Sequence, residues 1–236
     1  MVPTHLNATI GLPGTYVVTL GFDTAVRQLA LESATATLGG SGALTISDSF
    51  TWKNGALGGP STAVITVNGE LLVTGAPGGT RRPLGRNLIS AGTGVWDDAS
   101  ILALASGVMI SNTASGTFDL SGAGSIDTAG GSALFVNAGV FRKTGSNVTD
   151  FGAEFRNTGT VRIESGTLNL RKSFHHAGSL EISNLAGLTL SSGNHTFTAD
   201  SSLTGTGDLT ITGGSVSLGG RVELSGRHVF RGGNVA

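Results

Sequence analysis

Along most of the chain apolar and polar residues alternate one by one in short runs. Gly, Ser, Asn or Asp interrupts each run after about five residues. Tyr16-Val17-Val18-Thr19-Leu20, Ala63-Val64-Ile65-Thr66-Val67 and Asp208-Leu209-Thr210-Ile211-Thr212 are examples. A period of two is the pattern of a strand with one buried face and one solvated face. The best helical candidate, Ala25 to Glu32, is short and β-branched at Val26, and no helix is predicted there.

Many short strands at even spacing suit a sandwich, a barrel or a solenoid, so internal repetition decides between them. Four segments share a pattern: Leu88-Ile89-Ser90-Ala91-Gly92, Phe135-Val136-Asn137-Ala138-Gly139, Phe155-Arg156-Asn157-Thr158-Gly159 and Phe174-His175-His176-Ala177-Gly178. The pattern is an apolar residue, any residue, Asn or a small or polar substitute, Ala or Thr, then Gly. Ile110-Ser111-Asn112-Thr113 is a fifth copy, with two residues inserted before Gly116. The first residues of the five copies lie 22, 25, 20 and 19 positions apart. Each copy leads into a strand whose inward residue is read as Trp96, Phe118, Phe141, Val161 or Leu180.

A repeat of about 20 residues with variable length predicts an all-β solenoid in which each coil stacks on the last. Its strands would pair in parallel about 4.8 Å apart. Because coils of 20–25 residues absorb insertions at their loops, a right-handed parallel β-helix fits better than a strict hexapeptide solenoid. One domain over residues 1–236 is expected, with residues 75–86 as a projecting loop. The final run, Arg231 to Ala236, stops just after a strand-like segment, which suggests a piece of a longer protein.

Asn137-Ala138-Gly139-Val140-Phe141-Arg142-Lys143-Thr144-Gly145, Asn157-Thr158-Gly159-Thr160-Val161 and Glu164-Ser165-Gly166-Thr167-Leu168-Asn169-Leu170 resemble repeats of large secreted bacterial surface proteins. These are adhesin-like and autotransporter-like passengers built as right-handed β-helices. The resemblance covers residues 88–220 well and the N-terminal third loosely. It implies an architecture and an extracellular or cell-surface setting. It implies no activity, because such helices carry both adhesins and polysaccharide-degrading enzymes.

Composition narrows the classes. Gly, Ser and Thr make up more than a third of the chain, and charged residues are 12%, about half the usual share. A formal net charge of -1 lacks the basic footprint of a nucleic-acid binder. Without Cys there is no disulfide framework and no thiolate metal site. No run of about 18 apolar residues predicts a membrane span. The start, Met1 to His5, has no signal-peptide pattern.

Two columns of side chains could carry chemistry. Ser90, Asn112, Asn137, Asn157 and His176 share one repeat position and are expected to form a structural ladder at a bend. Stacked amides can bond to one another and to backbone the sheet leaves unpaired. Aligning the coils by their inward residues places Asp97, Asp119, Arg142, Arg162 and Glu181 in an outward charge column. The bland reading of that column is a compensated surface ladder. The sharper reading sets Asp97 and Asp119 a rung apart with Asp98 adjacent, three carboxylates that repel unless a cation relieves them; calcium would suit. A glycosidase-type carboxylate pair is the catalytic version of the same idea. Phosphate-binding loops and a nucleophile-elbow serine are missing from the sequence.

The function expected from these features is a non-catalytic structural or adhesive rod segment, with a carbohydrate or another cell-surface ligand as the expected partner. The alternative is a polysaccharide lyase or hydrolase, or a carbohydrate-binding β-helix. Open end coils also predict end-to-end self-association.

Overall fold

The computed structural model describes residues 6–128 and 131–236. Met1 to His5, read above for a signal pattern, lie outside the described residues. The described chain is all strand and turn, a parallel β-solenoid of about 11 turns. From the middle of the chain onward each turn contributes three strands, one to each of three faces. The first face stacks Asn87–Ser90, Met109–Asn112, Leu134–Asn137, Glu154–Asn157, Phe174–His176 and Asn194–Phe197. The second stacks Thr93–Trp96, Thr117–Leu120, Val140–Lys143, Thr160–Ile163 and Ser179–Ile182. The third stacks Arg81–Leu84, Ile101–Leu104 and Ser125–Thr128, then Val148–Phe151, Thr167–Leu170 and Gly187–Leu190.

In the N-terminal turns the first two faces are not yet separate. The strand Leu44–Trp52 runs through both and pairs with Val64–Val67 on one half and Glu70–Val73 on the other. The stretch nearest to a helical pattern, Ala25 to Glu32, falls mostly in the strand Thr24–Leu31, where pairing to both neighbouring coils outweighs a weak local preference.

The repeat's glycine marks the corner between the first and second faces. A Cβ added at Gly139 would lie 2.2 Å from the carbonyl oxygen of Gly116, and one at Gly159 would lie 2.2 Å from that of Gly139. Coils pass so closely at this corner that only a residue without Cβ fits, which is why glycine recurs there. Inside, the apolar positions stack into columns. Phe135, Phe155 and Phe174 follow one another with ring centroids 5.4 and 5.2 Å apart. Such pairs each add about 0.5–1.5 kcal/mol beyond the area they bury.

Two expectations are corrected here. Residues 75–86 do not form a projecting loop: Arg81–Leu84 is a strand of the third face, and Arg82, Leu84 and Arg86 are buried. The turn from Pro77 to Gly79 is exposed, as are the outward-facing Arg81 and Pro83 of the strand. The second correction is one of register. Trp96 stacks on Leu120, while Gly94 faces Phe118. A Cβ at Gly94 would lie 2.6 Å from Cδ2 of Phe118, so the ring occupies the space the glycine leaves. A pattern that looks for a large inward residue in every coil slips by two residues at this point.

Candidate functional site

The charge column follows from that register. Asp119, Arg142, Arg162 and Glu181 occupy matching positions on successive strands, but the position before Asp119 is Val95. Asp97 lies beyond the end of its strand, exposed, and is not a member of the column. Arg142 receives carboxylates from two sides. Its Nε and Nη2 donate to Glu164 at 2.9 and 3.0 Å, and its Nη1 lies 3.6 Å from Asp119. These contacts hold Arg142 above its ordinary value, chiefly through the Glu164 hydrogen bonds, and lower Glu164 through the same bonds. Arg162 and Glu181 are 3.9 Å apart and well exposed.

The carboxylates considered for calcium do not form a donor set. Asp98 turns inward, while Asp119 accepts a hydrogen bond from Thr144 Oγ1 at 2.6 Å and sits beside Arg142. Asp98 is 8% exposed and faces Arg82, which is fully buried; Arg82 Nη2 lies 2.5 Å from its Oδ2. It also accepts from Trp96 Nε1, Ala76 N, Ser100 N and Ser100 Oγ at 2.6–3.0 Å. Burial pushes the carboxyl up, and the Ser100, Ala76 and Trp96 hydrogen bonds more than offset it, leaving Asp98 below the usual carboxylate value. Arg82 spends its remaining donors on Ser100 Oγ, Trp52 O and Thr74 O and lies over the Trp52 ring at 5.6 Å. Asp98 and Arg82 therefore pin three successive coils together. Among the described residues no three His, Asp or Glu side chains gather as a metal site.

The ladder residues occupy one inward column: Ser90, Asn112, Asn137, Asn157 and His176 pair in register and are all buried. The amides bond in one direction. Asn112 Nδ2 donates to Asn137 Oδ1 at 2.7 Å, and Asn137 Nδ2 donates to Asn157 Oδ1 at 2.6 Å. Asn157 Nδ2 then donates to His176 Nδ1 at 3.0 Å. An amide NH2 only donates, so His176 Nδ1 must accept, and its Nε2–H donates to Ser202 O at 3.1 Å. The chain of bonds thus fixes a neutral imidazole, and burial lowers its pKa. At the other end Ser90 Oγ and Asn112 Oδ1 have no partner among the described residues.

Sequence reasoning missed three buried cations. Besides Arg82, Arg86 donates to Gly58 O at 2.7 Å, Gly40 O at 2.5 Å and Gly42 O at 3.4 Å. Among the described residues it meets no carboxylate and instead donates to carbonyls at two earlier corners. Lys143 stands in an apolar column between Leu120 and Ile163, donates to Gly145 O, and is drawn below the usual lysine value by burial. The available signal was the alternation Arg82, Leu84, Arg86, which places all three on one face of an extended segment.

A groove follows the corner between the third and first faces. Most of its floor is one outward column of the first face: Asn87, Met109, Leu134 and Glu154. One end is a cavity of about 400 Å³ over Met109 and Leu134. The other is a cavity of about 330 Å³ bounded by Glu154, Arg156, Ser173, His175, Asn194 and Thr196. Glu154 borders both. Its strand follows Val148–Phe151 after only Gly152 and Ala153, the recess that lets the groove spill towards Lys172 and Arg171 on the third face.

No protein-family model, curated relative or solved structure matches the chain, so the parallel β-solenoid stands on its own geometry.

Proposed function

We propose that the chain is a segment of an extracellular, adhesin-like rod, a non-catalytic stalk that also presents binding surface. The observation that carries this reading is the uninterrupted stack. One apolar core and one hydrogen-bonded polar spine run from coil to coil, and most outward ion pairs link neighbouring coils instead of converging on one spot. Such a stack transmits load along its axis while exposing long, regular faces. The repeat's likeness to secreted bacterial surface proteins supports the setting.

The polysaccharide lyase or hydrolase alternative loses its proposed residues. A catalytic pair needs carboxylates gathered on neighbouring rungs. Here Asp98 is committed to Arg82, and Asp97 and Asp119 stand outside one another's register. Two measurements test the rod: single-molecule stretching between the termini, and product release from a panel of neutral and acidic polysaccharides. High resistance with no new reducing ends or unsaturated products is expected. Steady release of either product overturns the non-catalytic reading.

A further inference from the structure

We propose that the groove between the third and first faces binds a linear, carboxylate-bearing polysaccharide lying along the rod axis. This deepens the adhesive part of the rod reading and rests on it. From the rung of Asn87 to that of Asn194 the groove crosses six first-face strands. At about 4.8 Å per rung that is roughly 24 Å, room for several sugar units in an extended chain.

The lining changes character along this length. Met109 and Leu134 are half-buried and offer an apolar floor to the C–H face of a sugar ring. Further along, Ser173, Asn194 and Thr196 supply hydroxyl and amide groups suited to sugar hydroxyls. Arg156 and Lys172 stand on successive turns on either side of Glu154. Among the described residues, neither cation has an ion-pair partner, in contrast to Arg81, Arg142 and Arg171. Two unpaired cations a turn apart match a polymer with a carboxylate on successive units, and the planar guanidinium of Arg156 can take a carboxylate with two parallel hydrogen bonds. Glu154 between them accepts hydroxyls and keeps the site from being a general polyanion trap.

Other occupants fit less well. A nucleic acid needs a track of cations and several aromatic faces for its bases, whereas His175 is the one exposed ring among the described residues that line this groove. A peptide adding as a strand needs a free sheet edge, whereas the strands beneath the groove are paired on both sides.

The test is titration of the protein with a uronic-acid oligosaccharide, its carboxyl-reduced neutral counterpart and a single-stranded oligonucleotide, each at low and high salt. The titrations compare the wild type, the double variant Arg156→Gln/Lys172→Gln and the control Arg162→Gln on the second face. The uronate should bind the wild type, at least about tenfold more weakly in the double variant, and within about twofold of wild type in the control. Raised salt should weaken it. Any of four results overturns the proposal: no uronate binding, equal binding by the double variant, equal loss in the control, or tighter binding of the neutral sugar or the oligonucleotide. Circular dichroism checks that both variants keep the strand signal. A groove that fails this test leaves the stretching result untouched; a uronate that is bound and cleaved keeps the groove and removes the non-catalytic reading.

Discussion

At the level of single residues the buried polar spine is the most exposed to test. Asn137→Ala removes the acceptor of Asn112 Nδ2 and leaves Asn157 Oδ1 without its donor. A loss of about 1–3 kcal/mol is expected in urea unfolding, with the slope unchanged. Ser90→Asn should act in the opposite direction. Ser90-Ala91-Gly92 has the same turn spacing as Asn137-Ala138-Gly139, and an amide there reaches the unpartnered Asn112 Oδ1. A gain of about 0.5–1.5 kcal/mol is expected from the same measurement.

His195 continues the Phe135–Phe155–Phe174 column, buried, with neither ring nitrogen bonded among the described residues. Burial lowers the pKa of both His176 and His195. His176 meets Asn157 and the rings of Phe174 and Phe197, His195 pairs in register with Phe174 and Val216, and His175 is exposed. A folded pKa below the unfolded value means the unfolded chain takes up protons first on acidification. Stability is therefore full above about pH 6.5 and falls below it, by roughly 1 kcal/mol per pH unit for each histidine until the folded form also titrates. His195→Phe should flatten that fall in melts between neutral and mildly acid pH, and a variant with the wild-type slope would contradict this account. Asp97→Asn, outside the charge column and without a carboxylate neighbour in register, should change stability by no more than about 0.5 kcal/mol. Its melting curves with calcium and with chelator should overlay those of the wild type.

At the level of elements, the close pass between the first two faces sets the strand ends. Gly159→Ala places a methyl group against the carbonyl of Gly139, and the nearest atoms, those of Ala138 and Gly139, are all backbone and cannot swing aside as a side chain would. The corner must open, so the variant should lose more than the roughly 1 kcal/mol typical of a substitution, with amide exchange accelerating first in the coils on either side. The asparagine positions and the corner glycines were legible in the sequence because geometry there admits few residue types. The register of Thr93–Trp96 was not. Gly94 opposite Phe118 is a contact between coils, and no pattern within one coil reveals which neighbour's ring fills a glycine's space.

Over the whole molecule, the last turn leaves strands unpaired on one side and exposes Val222, Phe230 and Val235. The 236-residue chain should therefore associate as its concentration rises. Phe230→Asp should shift the average mass in light scattering towards the monomer, and an unchanged mass distribution would show that this end is not the contact.

The sequence by itself determined the class of fold. Alternation fixed strands, a variable repeat near 20 residues fixed a solenoid, and a recurring Asn-x-Gly position fixed the polar column at its corner. Only the tertiary structure decided where the charges went. Arg82 and Arg86 lie inside because carbonyls from other coils receive them, Asp98 because Arg82 of the preceding coil pairs with it, and Lys143 because the carbonyl of Gly145 in its own coil receives it; Asp97 lies outside its column because Gly94 accommodates Phe118. A side chain's own position on a strand gives its face. Whether burial there is tolerable depends on partners 16 to 46 residues away, such as Asp98 for Arg82 and Gly40 for Arg86, which meet only when the coils stack.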